Sequence, residues 1–156
     1  MNDHSQSGAG LERFDINAQR DPFILRIEST SSTVYYLRAT DERGLEVMRA
    51  TGLGRSLTTE GDNSWHRVTK ITSYGLDLSG EPDPMKATFK DDDAEPWVIR
   101  VGAVHVYEYR VPGGFADTTD YWWRQRPVTR LVLLGEMPPE VERAKTEGYV
   151  ERPEGV

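Results

Sequence analysis

From Trp97 to Val111 the odd positions read Trp97, Ile99, Val101, Ala103, His105, Tyr107, Tyr109 and Val111, while Arg100, Gly102, Glu108 and Arg110 fall on even ones. A period of two belongs to a half-buried strand, because successive side chains leave opposite faces of a pleated backbone. At about 3.3 Å per residue this stretch would run near 50 Å, too long for one flat strand in a small domain. A bend or bulge at Gly102 resolves the length.

The same period recurs upstream. Phe23, Leu25 and Ile27 alternate with Arg26 and Glu28, the Ser29–Ser32 cluster reads as a turn, and Thr33–Ala39 is dense in β-branched and aromatic residues. A second turn at Thr40–Gly44 leads to a short strand over Leu45–Ala50, which gives an antiparallel meander. Trp65–Tyr74 is too rich in β-branched residues for a comfortable helix and is read as a strand with a bulge near Lys70. After the turn residues Pro112–Asp117, a strand over Thr119–Gln125 returns beside Trp97–Val111. The chain breaks at Pro127 and continues as Val128–Leu134. Proline cannot donate to a ladder, so Pro127 belongs at an edge or at a corner where the strand changes sheets.

Helical signals are few. Leu11–Arg20 places Leu11, Phe14 and Ile16 on one side of a single turn that Asp21-Pro22 stops, and Pro138-Pro139-Glu140 opens a short helix to about Glu147. The expected fold is therefore mainly β, a β-rich α+β chain. It is an antiparallel barrel, roll or sandwich of six to eight strands with a short C-terminal helix.

A chain of 156 residues with 37% hydrophobic side chains supplies one core. Residues 11–150 are expected to form a single domain between flexible tails at 1–10 and 151–156. Cysteine is absent, which removes disulfides, thiol nucleophiles and thiolate metal sites. The longest strictly aliphatic run, Leu131–Leu134, is four residues long where a spanning helix takes about 20. The first ten residues carry neither Lys nor Arg and no apolar stretch follows them. No membrane association is expected, and the location expected is the cytoplasm.

The formal charge of −7 is unevenly placed. Gly75–Pro96 holds seven acids against Lys86 and Lys90, a net −5, and reads as a long acidic surface connection. The opposite pole, Tyr121–Leu134, carries Arg124, Arg126 and Arg130 with no acid. Fifteen of the 19 basic residues are Arg, a bias that suits bidentate contact with carboxylate or phosphate and that a GC-rich genome also produces.

No complete catalytic or nucleotide-binding motif is present. Gly52-x-Gly54-x-Ser56 is half of a phosphate loop without its Gly-Lys-Ser/Thr ending. Asp91, Asp93 and Glu95 are oxygen donors of the sort hard cations take. They lack calcium-loop spacing, so a solvated acidic loop is the preferred reading. No metal and no cofactor is expected. His105 lies on an apolar strand face, where it either bonds a neighbour inside the core or serves a pocket as a base together with Tyr107, Tyr109 or a carboxylate. His66, beside Trp65, is a second imidazole that a sheet can bring toward it.

Tyr121-Trp122-Trp123-Arg124-Gln125-Arg126 is the most informative segment. Adjacent tryptophans in a strand point to opposite faces, so an outward Trp122 shares its side with Arg124 and Arg126. Trp, Tyr and Arg are the residue types of interface hot spots, and Phe115 between glycine and small residues adds an aromatic at a loop tip. The leading expectation is a non-catalytic interaction or structural domain that binds a protein partner or itself through Phe115, Tyr121, Trp122, Arg124 and Arg126. An accessory protein of a bacterium or phage fits this description. The rivals are a small β-barrel enzyme or ligand-binding protein with a His105 pocket, and, less favoured on charge, a binder of single-stranded nucleic acid.

Overall fold

The computed structural model of the chain describes residues 10–50, 64–77, 88–110, 121–136, 138, 139 and 141. The expected tails, the glycine loop at 51–63, the turn at 112–117 with Phe115, and most of the C-terminal helix lie outside these residues. The described elements are β1 (Arg13–Asp15), a 3₁₀ turn (Ile16–Ala18), β2 (Phe23–Ser29), β3 (Val34–Thr40), β4 (Gly44–Ala50), β5 (His66–Asp77), β6 (Thr88–Pro96), β7 (Val98–Arg100), β8 (Val104–Arg110), β9 (Tyr121–Gln125) and β10 (Val128–Leu133).

Eight of these strands form one antiparallel sheet in the order β10-β2-β3-β4-β5-β8-β9, with β6 added to β5, and β1 pairs with β7 as a separate two-stranded sheet. The long strand β5 serves several neighbours. His66 and Arg67 pair with β4, residues 67–74 with β8, and residues 72–77 with β6. Its register with β8 shifts between Val68 and Lys70, where the sequence suggests a bulge.

The outermost strands in the ladder, β9 and β10, are separated in the chain by only Arg126 and Pro127. The sheet therefore rolls until its edges meet, yet no ladder joins them, so it is a roll and not a closed barrel. Pro127 is the corner. Its carbonyl accepts from the Thr30 N–H at 3.2 Å, and the strand exchanges β8 for β2 as neighbour within one sheet. The seam is also held by a polar side chain. Gln125 donates through Nε2 to the Ile27 carbonyl at 3.2 Å and accepts from the Tyr107 hydroxyl at 2.5 Å.

The bend expected at Gly102 separates β7 from β8, with Gly102 at φ 90°, a left-handed conformation that suits a residue without Cβ. Two expectations change. Residues 88–96, read as irregular surface, form β6, because its carboxylates are partnered: Asp93 meets Arg100 at 2.9 Å, and Glu95 meets Arg13 at 2.9 Å and Arg100 at 3.2 Å. A charged edge strand also discourages pairing with other chains. Gly75 permits the approach, since a Cβ there would collide with the Asp93 carboxylate. The helical turn expected over Leu11–Arg20 is instead strand β1 followed by one 3₁₀ turn, with Phe14 and Ile16 buried.

Inside the roll, Leu25, Ile27, Tyr35, Leu37, Val47, Ile71, Ile99, Tyr107, Tyr109, Trp123 and Leu131 form the main core. Each fully buried aliphatic side chain contributes about 1.5–3 kcal/mol. A second cluster lies on the other face, where Tyr36 and Met48 pack with Trp65 and Val141. Here β3 is buried on both sides, from Tyr35 to Arg38. Arg38 is opposite Glu46 in the β3–β4 register and bonds it at 2.7–2.8 Å, with its guanidinium 4.2 Å from the centre of the Trp65 ring.

A buried pair of this kind costs most when half of it is removed. Glu46→Leu alone should lower the unfolding free energy by about 3–5 kcal/mol, and Arg38→Met with Glu46→Leu should recover most of that loss. Denaturant unfolding checks this. A double variant as unstable as the single one would contradict the pair's role.

Candidate functional site

Strand β9 alternates as its sequence requires. Trp123 and Gln125 are buried at 6% and 1% exposure, whereas Trp122 is 61% exposed with Arg124 and Arg126 also outward. Trp122 is the one large apolar side chain exposed among the described residues. The cause is the inner face of β9. Trp123 packs against Tyr35, Tyr109 and His66, with ring centroids 5.9, 4.4 and 5.5 Å away, and Gln125 reaches Tyr107 and Ile27. Once these two point inward, their alternate neighbours must face solvent. Tyr121 shares this strand through its backbone pairing with Tyr109, but its side chain, like Phe115, lies outside the described set.

Beside this face is a cleft of about 210 Å³ between the β2–β3 turn, β4 and the end of β9, lined by Arg49, Arg124, Arg126, Ser29, Ser31 and Thr33 among others. None of its described lining residues is acidic. Ser29 Oγ accepts from the Ser31 N–H and Ser31 Oγ from the Thr33 N–H, both at 3.1 Å, which shapes the turn. Thr33 is 2% exposed and its Oγ1 has no hydrogen-bond partner among the described residues.

His105, Tyr107 and Tyr109 are all in the core, at 0%, 0% and 4% exposure. His105 Nε2 accepts from the backbone N–H of Arg100 at 3.0 Å, so the ring's proton sits on Nδ1. Burial, and then the positive charge of Arg100, hold its pKa down to about 3 against a smaller opposing pull from the Ala103 backbone. The imidazole is thus neutral at ordinary pH and pins the corner between β7 and β8. Burial, with Tyr35 nearby, likewise keeps the Tyr107 hydroxyl protonated well above its usual range. A base without accessible surface has no route to a substrate proton.

His66 does not meet His105. Ser73 is opposite His105 in the β5–β8 register, which leaves His66 roughly 20 Å further along β5. Asp93 and Glu95 are engaged by arginines, and the side chain of Asp91 is not described. Among the described residues no group of three or more His, Asp or Glu is placed to hold a metal ion. A second cleft of about 340 Å³ lies between the 3₁₀ turn and the β3–β4 turn, lined in part by Phe23, Leu45, Val68 and Trp97. Trp97 there has φ 57°, and its backbone is held by the Ile71 carbonyl and the Ile16 N–H.

Sequence reasoning finds Trp122, Arg124 and Arg126 through the alternation. It misses Arg49, Ser29 and Thr33, which lie about 75 to 95 positions from the aromatic segment and join it only because the sheet rolls.

The depressed pKa of His105 has a definite sign. Unfolded, the ring binds a proton below about 6.5, while the folded protein resists protonation down to about 3, so stability falls as pH drops through that window. The share due to His105 is roughly 2 kcal/mol between pH 7 and pH 5. His105→Gln should remove it, making the acid sensitivity of unfolding shallower than in the wild type; parallel profiles would contradict this.

No protein-family model, no curated protein and no solved structure matches this chain.

Proposed function

We propose that this chain is a non-catalytic interaction domain that docks on a protein partner, or on a second copy of itself, through the outer face of β9. The observation that supports this best is the position of Trp122, 61% exposed and flanked on its own face by Arg124 and Arg126. An indole in water carries a large apolar surface that a partner would cover, and Trp with Arg is the combination enriched in interface hot spots. Neither residue serves the core. The inner face of the same strand is already filled by Trp123 and Gln125, so the outward residues are free to be selected for contact.

Charge supports the same reading. The face of β9 is positive in a chain of net −7, and two of the four acids on β6, Asp93 and Glu95, are held by Arg100 and Arg13. A partner with an acidic patch beside an apolar cavity would be complementary to it. The preference for a protein over a polyanion follows from the total charge, which opposes attraction to rows of phosphates.

The test uses the full chain as bait in an extract of its native cells, with the Trp122→Ala/Arg124→Ala variant as a second bait and sedimentation to follow self-association. Both substitutions are on the solvent side, so the melting temperature should hardly move. Partners or copies held by the wild type should bind the variant more weakly by over about tenfold. The same proteins held equally by both baits, or association by neither, would overturn the assignment.

A further inference from the structure

We infer that the cleft lined by Arg49, Arg124 and Arg126 is an oxyanion site that takes the carboxylate or phosphate of an acidic side chain on a peptide. The inference rests on the reading of β9 as the docking face and specifies what the partner must present there.

The three arginines that line the cleft come from separate parts of the chain: Arg49 from β4, Arg124 from β9 and Arg126 from the corner that follows it. They converge because the sheet rolls, not because the sequence carries a basic run. Like charges along one concavity with no carboxylate among its described lining residues raise its potential, and a bound anion lowers it. Arg126 makes no ion pair or hydrogen bond among the described residues. Guanidinium forks match the paired oxygens of carboxylate and phosphate.

The hydroxyl groups of the β2–β3 turn point to the same ligand class. Ser29 Oγ uses a lone pair on the Ser31 N–H, which leaves its own proton to be donated. Thr33, on the wall of the cleft, has a buried hydroxyl with no partner among the described residues, although such groups are nearly always satisfied in folded proteins. An acceptor entering the cleft would complete it, directly or through one water.

The size of the site limits the ligand further. A volume of about 210 Å³ holds one oxyanion with part of its side chain rather than a string of phosphates. Trp122 is two residues before Arg124 on the same face, about 7 Å away, within reach of the neighbouring residue of the same peptide. The ligand is therefore a short motif in which an acidic or phosphorylated residue lies next to an apolar one.

The test has two parts. The first adds inorganic phosphate to the isotope-labelled chain and follows the Arg Nε–H signals and the Thr33 amide by NMR. Saturable shifts at Arg49, Arg124, Arg126 and Thr33 are expected, and shifts spread over all exposed arginines would overturn the site. The second measures binding of peptides with a Leu next to Glu, to phosphoserine or to Gln, and of a single-stranded oligonucleotide. The Glu or phosphoserine peptide should bind, the weaker of these arms showing which source the site disfavours, and Gln should reduce affinity by roughly tenfold or more. Arg126→Gln, at an exposed position, and Arg49→Gln should each cause a similar loss. Binding of the oligonucleotide alone, equal binding of the three peptides, or no effect of either substitution would overturn the inference. Partner capture that depends on Trp122 but survives Arg49→Gln/Arg126→Gln would remove this cleft and leave the docking face standing.

Discussion

The side-chain amide of Gln125 is the contact on which the rest of the arrangement depends. It is 1% exposed, takes the Tyr107 hydroxyl on its oxygen and gives a proton to the Ile27 carbonyl, so it ties β9 to β8 and across the seam to β2. Those two strands belong to opposite ends of the ladder. A rolled sheet that lacks a closing ladder would otherwise be free to slip at this edge, and a slip of one residue would send Trp123 outward and Trp122 inward. The buried hydrogen bonds make that slip costly because each group left without its partner loses about 1–3 kcal/mol. Presentation of Trp122, Arg124 and Arg126 is thus a consequence of how the inner face of the same strand is satisfied.

The remaining buried polar groups follow the same logic at other points of the roll. Arg100 binds Ser73 and Asp93 through its guanidinium and donates its backbone N–H to His105, which holds β7, β5, β6 and the Gly102 corner together. Arg38 and Glu46 do this on the outer face under Trp65. Asp93 and Glu95 of the acidic stretch are thus engaged inside the fold, while Arg124 and Arg126 stand on the outward side of the segment that begins with β9.

Much of the fold was legible because period-two patterns depend only on local chemistry. The alternation of Phe23, Leu25 and Ile27, the bend at Gly102 and the bulge beside Lys70 are all present. Strand β6 was not legible, since Asp93 and Glu95 look like solvated loop until Arg100 and Arg13 are brought beside them from elsewhere. The outward side of β9 could be read from its sequence, whereas the cleft next to it could not. Arg49 and Thr33 carry no local signal, and only the register of β3 with β4 and the roll of the sheet place them beside Arg124. His105 shows the opposite case: its pattern fits both a pocket and a core, and its burial with the Arg100 N–H puts it in the core.

The orientation of β9 is the central claim, and hydroxyl-radical footprinting of the native chain with mass-spectrometric readout tests it most directly. Trp122 and Trp123 are chemically equivalent neighbours, so any difference in their oxidation reports which one faces water. Trp122 should be modified several times faster than Trp123 in the folded protein, with the difference lost on unfolding and reduced in Gln125→Leu. Oxidation of Trp123 at the same rate as Trp122 or faster in the native wild type would contradict the account.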